Sequence, residues 1–278
     1  MTDEAKPQIA FIGLGAMGAG MADNLLKAGF PVRGYDVDPT RAERLEAAGG
    51  HFAASAADAA RDCAVLVVIV MSQPQVEEVL FGTGNALETL DDNAVVLLCA
   101  TTDPVYVADA AARITSTGRH VIDAPVTGGV HGAEAATLTA LSSGSPDAYV
   151  RGEAVLATMC STVHRFGEKP GAGTTAKMAN QLLCGVHLAV AAEAVELCRR
   201  SGVDTDKLFD VLKDGVAGSA MFTLRAQQLL DGEFKLADTA EIFAKDLRAA
   251  AKLAQEVGVG MPIGLTALEA YKQAIESR

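Results

Sequence analysis

The first half of the chain alternates short apolar runs with stretches in which apolar residues recur at helical spacing. The apolar runs predict strands at Ile9–Ile12, Val32–Tyr35, Ala64–Val70, Ala94–Cys99, His120–Asp123, Leu138–Ser142 and Val163–Phe166. The stretches between them predict helices at Met17–Lys27, Arg41–Ala48, Gln75–Leu80 and Val105–Thr115. Because the strands are apolar on both faces, we expect a parallel sheet covered by helices, the doubly wound α/β arrangement of Rossmann type.

After Gly171 only helical periodicity remains. Ala176 to Arg200 contains a single glycine, Gly185, and no proline, which predicts a long helix. Further helices are predicted at Asp204–Lys213, Ser219–Leu230, Ala240–Gly258 and Pro262–Ile275. We therefore predict a dinucleotide-binding domain over residues 1–166 and an all-helical substrate and dimerisation domain over residues 167–278, with a long interdomain helix from about residue 174.

The charge of the chain narrows its range of partners. The 35 acidic and 23 basic residues give a formal net charge of −12, so we expect neither nucleic acid nor an anionic membrane as a partner. No apolar run reaches the length of about 18 residues that spans a membrane. The segment Met1–Pro7 lacks the basic-then-apolar order of a secretory signal. We predict a cytoplasmic protein, in which a small anionic substrate needs a local positive site.

Neither the cysteines nor the histidines form a recognisable ligand pattern. The odd number of cysteines and the absence of a C-x-x-C pair predict reduced thiols rather than a disulfide framework. These cysteines are Cys63, Cys99, Cys160, Cys184 and Cys198. The five histidines show no metal-ligand spacing, so we predict no metal site.

A glycine-rich segment, Gly13-Leu14-Gly15-Ala16-Met17-Gly18, follows the first predicted strand and opens the first helix. Glycines in this pattern permit a tight turn, close backbone approach to a pyrophosphate, and helix–strand packing. Asp36 ends the second predicted strand at the offset of roughly 20 residues where a carboxylate accepts the ribose 2′-hydroxyl. Because a carboxylate repels a 2′-phosphate, we predict NAD rather than NADP, although Arg33 and Arg41 leave NADP open.

Lys177, Asn180 and Gln181 lie on adjacent turns of the long predicted helix. A lysine there can move a proton, and the two amides can hold a polar substrate beside it. As a base the lysine needs a pKa lowered toward neutrality, which burial or a nearby cation such as Lys245 achieves. Composition alone would make Lys177 a surface residue. The nucleotide-binding loop earlier in the chain is what favours a catalytic role for this lysine.

A second glycine pair follows the strand that ends at Asp123, in the stretch Asp123-Ala-Pro-Val-Thr127-Gly128-Gly129. The Thr127 hydroxyl and the amides of Gly128 and Gly129 form a candidate nest for an anion. The alternative is a turn that needs glycines for its geometry only. The neighbouring His131 is close enough in sequence to touch a substrate bound there, but we interpret it as a solvent-exposed loop residue.

With these three motifs in order, nearly the whole chain resembles the β-hydroxyacid dehydrogenase family. The resemblance implies an NAD-dependent oxidoreductase that interconverts a small β-hydroxyacid and its oxo-acid or semialdehyde, with Lys177 as general acid/base. It implies substrate contacts by Thr127, Gly128, Gly129, Asn180 and Gln181. It implies cofactor contacts by Gly13, Leu14, Gly15, Ala16, Met17, Gly18, Asp36, Met71, Thr101 and Lys245.

The chain departs from the family pattern at several positions. Ala100 precedes Thr101 where serine is usual, and Thr127 stands where serine is commoner. Gln181 stands where many members have a second asparagine, which is similar to the L-threonate dehydrogenase and tartronate semialdehyde reductase branches. Members usually continue beyond the position of Arg278 with a short segment and a last helix, so two alternatives stay open: a natural end that is short, or a truncated chain that lacks a piece of the cofactor site.

Two other functions remain open at this point. Imine reductases use a similar scaffold but typically replace the lysine with Asp or Tyr, and non-catalytic dinucleotide-binding modules lack it, so Lys177 favours the dehydrogenase. Lys245 remains open as a simple surface lysine. The apolar faces of the helical half predict a homodimer or homotetramer. The sequence identifies neither the hydroxyacid nor the physiological direction.

Overall fold

The computed structural model describes residues 6–230 and 237–277. The chain divides into two compact units, Met1–Lys177 and Met178–Arg278. Residues 1–5 lie outside the described residues, and so does Arg278 at the end of the chain. Residues 1–5 are part of the segment Met1–Pro7 that lacks the order of a secretory signal. The division after Lys177 falls inside the long helix, and the domain boundary after residue 166 stays a prediction.

The first unit is built on one mixed sheet. Its strands are β1 (Ile9–Ile12), β2 (Val32–Tyr35), β3 (His51–Phe52), β4 (Val65–Val68), β5 (Val95–Leu98), β6 (His120–Asp123), β7 (Val126–Thr127), β8 (Leu138–Gly144) and β9 (Cys160–Arg165). They lie in the order β3-β2-β1-β4-β5-β6-β8-β7, and β9 pairs with β8. The strands from β3 to β6 are parallel, whereas β8 runs antiparallel to β6 and β7. The parallel part with its crossover helices confirms the predicted Rossmann-type fold.

Helices cover both faces of this sheet. They are α1 (Ala16–Lys27), α2 (Ala42–Ala47), α3 (Ala56–Ala60), α4 (Gln73–Phe81), α5 (Ala86–Thr89), α6 (Pro104–Ser116), α7 (Gly129–Glu134) and α8 (Pro146–Met159), with a 3₁₀ turn at Pro39–Arg41. Ile9 and Phe11 of β1 enter one apolar layer, and Ala10 and Ile12 enter the other. Because successive side chains of a strand point to opposite faces, burial on both faces explains why these strands read as continuous apolar runs.

Helix α8 was missed by the sequence analysis. Its start carries a recognisable signal, since the Ser145 hydroxyl accepts the Ala148 N–H and Pro146 follows as the first helical residue. Gly152 packs directly on the sheet, because a Cβ there would lie 2.9 Å from side-chain carbons of Leu97 and Ile122. The short elements β3, β7, α3, α5 and α7 were also missed, because they span too few residues for a period to show.

The second unit is helical throughout its described residues, as predicted. The long helix α9 (Ala172–Arg200) begins in the first unit and continues here, followed by α10 (Thr205–Lys213), α11 (Ala220–Leu230), α12 (Ala237–Glu256) and α13 (Pro262–Glu276). A buried cluster includes Leu188, Phe243, Leu247 and Tyr271. The Tyr271 hydroxyl donates to the Gly185 carbonyl at 2.8 Å, which ties α13 to α9.

By length and composition alone, α9 is long and apolar enough to cross a membrane. Only 28 % of its apolar window is buried, and α9 contributes Leu188 and Ala189 to the apolar cluster of the second unit. A single helix of this kind is weak evidence, because core helices of globular proteins meet the same criterion. Its length therefore carries no argument for a membrane protein.

Candidate active site

The glycine-rich segment forms a tight turn between β1 and α1. Gly13 has φ +100°, and a Cβ there would lie 2.2 Å from the Ile69 carbonyl oxygen; a Cβ on Gly18 would lie 1.9 Å from the Gly13 carbonyl oxygen. Glycine is therefore a steric requirement at both positions. Gly15 differs, since no heavy atom lies within 4 Å of the place where its Cβ would stand. Protein atoms therefore fill the space beside Gly13 and Gly18, whereas the space beside Gly15 is open.

The N-terminus of α1 fits a phosphate group. Gly15 is its N-cap residue, no side chain caps it among the described residues, and its first turn holds no acidic residue. The first amides of a helix point outward without internal partners and carry the positive end of the helix dipole. An open glycine at such a terminus is the arrangement that accepts a dinucleotide pyrophosphate.

Asp36 lies beside this turn and is held by backbone donors. Its Oδ2 accepts the Leu14 N–H at 2.7 Å and its Oδ1 accepts the Asp38 N–H at 2.9 Å. Each carboxylate oxygen can accept a second hydrogen bond. Asp36 is therefore oriented by the turn and keeps acceptor capacity for a ribose hydroxyl.

The arginines that left NADP open both have protein partners, but Arg41 also lines the cavity beside Leu14 and Gly15 of the nucleotide turn. Arg33 donates to the Arg61 carbonyl at 2.7 Å, and Arg41 lies 3.1 Å from the Asp38 carboxylate. Asp36, whose carboxylate would repel a nearby 2′-phosphate, lies beside this turn.

The other predicted cofactor residues of the first unit lie at the same edge of the sheet. Met71 follows β4 and is 64 % exposed, and Thr101 follows β5 and is half-buried. Because β1, β2, β4 and β5 are parallel neighbours, their carboxyl ends meet at one edge. Ligands of doubly wound sheets bind at that edge.

The Thr127–Gly129 loop joins β7 to α7. Thr127 ends β7 opposite Thr139 of β8, and Gly128 and Gly129 have φ +129° and +65°. A Cβ on Gly129 would meet no heavy atom within 4 Å. Both glycines and His131 are exposed, so the geometric need for glycine and room for a ligand are present together.

A fully buried carboxylate caps the start of α9. Asp123, 0 % exposed at the end of β6, accepts the N–H groups of Gly171 and Thr174 at 2.9 Å each, and the Thr174 hydroxyl also donates to it. Burial raises the pKa of the Asp123 carboxyl, and the hydrogen bonds from Thr174, Gly171 and Ser143 oppose part of that rise. Asp123 opens the motif that runs to Gly129, but its role at α9 could not be predicted from the sequence, because its partners lie 48 and 51 residues away.

Ser143 of β8 extends this cap. Its hydroxyl donates to Asp123 at 3.1 Å and accepts the Gly173 N–H at 3.0 Å. A Cβ on Gly173 would lie 2.4 Å from the Leu141 carbonyl oxygen, so the first turn of α9 rests directly on β8. The start of this helix is fixed to the sheet by hydrogen bonds and by close packing.

Lys177 follows one turn after this cap. It lies three residues after Thr174 on α9, and its side chain is only 6 % exposed. Lysine is almost never buried without an electrostatic or functional reason. The structure thus removes the alternative of a solvated surface lysine.

The predicted amides and Lys245 lie in the second unit. Gln181 donates to Asp246, a carboxylate that is only 2 % exposed, and the Lys245 ammonium lies 2.8 Å from the same carboxylate. Lys245 is therefore the partner of a buried charge rather than a simple surface lysine. Asp246 went unnoticed in the sequence because it lies 65 residues from Gln181.

Asn180 is placed differently from Gln181. Its Nδ2 contacts Cys184 Sγ at 3.3 Å, and its Oδ1 is buried with no hydrogen-bond partner in the described part of the chain. A buried amide oxygen without a donor is uncommon in native proteins and calls for an explanation such as a ligand.

The cysteines are all free thiols. Burial raises the pKa of Cys63 to about 11 and that of Cys160 to about 12, and it raises the pKa of Cys99 as well. These three thiols stay protonated at neutral pH and serve as small core residues.

Comparisons with known proteins match this architecture along the whole chain. The profile of the NAD-binding domain of 6-phosphogluconate dehydrogenase matches residues 8–167, and that of the NAD-binding region of NADP-dependent 3-hydroxyisobutyrate dehydrogenase matches residues 171–278. L-threonate dehydrogenase of Cupriavidus necator is 38 % identical over 266 residues, which cover 96 % of this chain and 90 % of that protein. The chain belongs to the β-hydroxyacid dehydrogenase family. It is an oxidoreductase that binds NAD(P) and acts on CH–OH groups.

Other members of the family support the same placement. 3-Sulfolactaldehyde reductase of Escherichia coli is 32 % identical over 267 residues, covering 96 % of this chain and 89 % of that protein. The crystal structure of a 3-hydroxyisobutyrate dehydrogenase from Salmonella typhimurium has a TM-score of 0.92 at 34 % identity, covering 98 % of this chain and 95 % of that chain. An imine reductase from Pseudomonas, at 21 % identity and a TM-score of 0.65, shares the fold alone.

Proposed function

We propose that this family member is an NAD-dependent dehydrogenase of a small β-hydroxyacid, with Lys177 as its general acid/base. One observation carries the proposal: the buried lysine lies one turn from a helix start that is hydrogen-bonded to the carboxyl end of β6. The nucleotide turn follows the carboxyl end of β1, which belongs to the same parallel part of the sheet. A proton-transferring amine and a dinucleotide turn are thus held by one rigid scaffold.

The chemistry divides between cofactor and protein. Bound NAD supplies the hydride acceptor for the carbinol carbon of the substrate. The Lys177 amine takes the hydroxyl proton as the C–H and O–H bonds break and the carbonyl forms. In the reverse direction the Lys177 ammonium returns that proton to the carbonyl oxygen. Each direction balances with one hydride and one proton.

Substrate binding is assigned to two groups of residues. The Thr127 hydroxyl and the exposed amides of Gly128 and Gly129 offer donors to the substrate carboxylate. The unpartnered Oδ1 of Asn180 offers an acceptor to a substrate hydroxyl. Gln181, which Asp246 holds, is proposed as the second amide.

The cofactor is assigned to the nucleotide turn, Asp36, Met71, Thr101 and Lys245. We propose NAD as the preferred form because Asp36 is oriented by the turn, Arg33 donates to the Arg61 carbonyl, and Arg41 pairs with Asp38. One structural relative, Psf3, was determined with NADP+ at 27 % identity and a TM-score of 0.83. At least one protein of this fold therefore binds NADP, and the preference of this chain has to be measured.

Similarity to L-threonate dehydrogenase and 3-sulfolactaldehyde reductase supports a hydroxylated acid of three or four carbons. The test measures NAD reduction with L-threonate, 3-hydroxyisobutyrate and 2,3-dihydroxypropane-1-sulfonate. We expect turnover of at least one of them, with L-threonate first in order. Turnover of a cyclic imine without activity on any hydroxyacid would contradict the proposal.

The Lys177→Ala variant tests the assigned acid/base. We expect kcat to fall by about 10²-fold or more, because no other group replaces the proton transfer, while NADH binding measured by fluorescence is retained. Lys213→Ala is the matched control, since Lys213 lies on α10 and pairs with Asp210 at 2.6 Å. A near-wild-type rate in Lys177→Ala would refute the assigned role.

We also propose a cytoplasmic homo-oligomer. Leu183, Val190 and Leu197 of α9 are 56 %, 54 % and 69 % exposed and lie seven residues apart, so they share nearly one side of the helix. Light scattering at micromolar concentration should give the mass of two or four chains. A monomeric mass would contradict this.

A further inference from the structure

We propose that Asp123 is a positioning residue for Lys177, acting through the first turn of α9. The inference rests on the proposed role of Lys177 as acid/base. Asp123 ends strand β6 and lies far from Lys177 in sequence, yet its hydrogen bonds to the start of α9 are inferred to affect catalysis.

The hydrogen bonds define the position of the helix start. Gly171 and Thr174 donate their N–H groups to Asp123, and Gly173 donates its N–H to Ser143, which itself donates to Asp123. Three of the four amides from Gly171 to Thr174 are therefore bound to groups of the sheet. Because these donors lie around the helix axis, they fix both its rotation and its advance along the axis.

The position of this first turn of α9 determines the position of Lys177. It follows Thr174 by three residues, a rise of about 4.5 Å and most of one turn. A change in the rotation or advance of this first turn therefore moves the root of the lysine side chain directly. Near-attack geometry is sensitive to such shifts, since a misplacement of about 1 Å can lower the rate by about 10²-fold.

A cap for stability alone does not require this arrangement. Helices α8 and α10 are capped by Ser145 and Asp204, side chains immediately before each helix. The α9 cap instead uses a carboxylate that is 0 % exposed and comes from a strand about 50 residues earlier. Burying a charge is unfavourable unless many donors surround it. Helix α9, which has this unusual cap, is also the described helix that carries the candidate catalytic lysine near its start.

The test uses Asp123→Asn in the full-length enzyme with the best substrate of the panel. Asn keeps the size but turns one acceptor into a donor that faces the donors of α9. We expect kcat to fall by about tenfold or more, with NADH affinity within about twofold of wild type. Asp204→Asn is the matched control, because it makes the same change at the α10 cap, and its kcat should equal that of wild type.

A double variant separates positioning from a merely structural role. If Asp123 acts through Lys177, Asp123→Asn in the Lys177→Ala background should cause no further loss of kcat. A further loss as large as in wild type would overturn the inference. So would a wild-type kcat in folded Asp123→Asn.

Two more results keep the proposals distinguishable. If Lys177→Ala retains the wild-type rate, the proposed function fails; if it is inactive while folded Asp123→Asn is fully active, only the positioning role fails. Should Asp123→Asn not fold, Thr174→Val removes one hydroxyl donor to Asp123 and keeps the side-chain size. We then expect a lower kcat for Thr174→Val than for Thr174→Ser, which keeps the hydroxyl, and equal values would overturn the inference.

Discussion

Two helices, α1 and α9, begin in the first unit next to the carboxyl ends of strands β1 and β6, and their N-termini differ in what satisfies their first amides. Helix α1 starts at Gly15 without a side-chain cap and with open space beside that glycine. Helix α9 starts on a buried carboxylate and a buried hydroxyl that take three of its first amides. An open terminus is available to a ligand, whereas a closed one fixes whatever the helix carries. Within one scaffold, the N-terminus of α1 is thus suited to ligand binding, and the N-terminus of α9 is suited to positioning Lys177.

Removing the closed cap has the largest expected effect. Asp123→Ala leaves the donors of Gly171, Thr174 and Ser143 buried without their acceptor, and each such group is destabilising. We expect the free energy of unfolding to fall by about 3 to 5 kcal/mol, measured by urea denaturation. Asp204→Ala at the exposed α10 cap should cause a smaller loss. Equal losses for the two variants would show that the buried cap has no special structural weight.

Filling the open terminus should affect the ligand and not the fold. Gly15 has φ −67°, and an added Cβ meets no protein atom within 4 Å, so Gly15→Ala should keep the melting temperature of wild type. We expect dinucleotide affinity to fall by about tenfold, because the methyl group stands where the pyrophosphate approaches. Gly18→Ala is the contrast, since its Cβ would lie 1.9 Å from the Gly13 carbonyl oxygen and should lower the melting temperature. Unchanged NADH affinity in Gly15→Ala would move the cofactor away from this terminus.

A substitution at Asp36 tests whether the site at the open terminus discriminates between NAD and NADP. Asp36→Ala removes the carboxylate that repels a 2′-phosphate, so we expect the NAD-to-NADP ratio of kcat/KM to fall by about tenfold. Asp58→Ala is a control, because Asp58 also accepts a local backbone N–H, from Ala54 at 3.2 Å, but is not assigned to the cofactor. A ratio equal to that of wild type would show that Asp36 is not the ribose acceptor.

The contrast between the two termini also explains what the sequence could predict. The open terminus is local: strand, glycines and helix follow one another from Ile9 to Lys27, and steric demands fix the glycines. The central strands were equally predictable, because burial on both faces leaves continuous apolar runs. Lys177 could be selected by its motif, and its burial then agreed with that selection.

The closed terminus could not be predicted in the same way. It joins Asp123 to α9 across 48 to 51 residues, and the Gln181–Asp246 bond spans 65. Periodicity and local motifs carry no information about such pairs. Helix α8 is a different case, since both its Ser145-Pro146 start and its apolar stripe, which includes Val155, Leu156 and Met159, were readable in the sequence. Asp123 did carry one local signal, a carboxylate at the end of an apolar strand.

The smallest expected effect is a pH dependence that differs in sign between a buried and an exposed cap. Burial raises the pKa of Asp123, whereas a backbone hydrogen bond from Lys207 lowers that of Asp204. A raised native pKa gives stability that is fully present below the unfolded value and is lost as pH rises through the native pKa; a lowered one gives the reverse.

As pH rises above the ordinary carboxyl range, the stability of wild type relative to Asp123→Asn should therefore decline. As pH rises toward that range from below, the stability of wild type relative to Asp204→Asn should increase. Urea unfolding of the three proteins between about pH 2 and pH 8 measures both slopes. Asparagine does not titrate, so each difference isolates one carboxyl. An increase with pH for Asp123 as well would mean that its four donors outweigh its burial. The closed terminus would then be held mainly by charge rather than by packing.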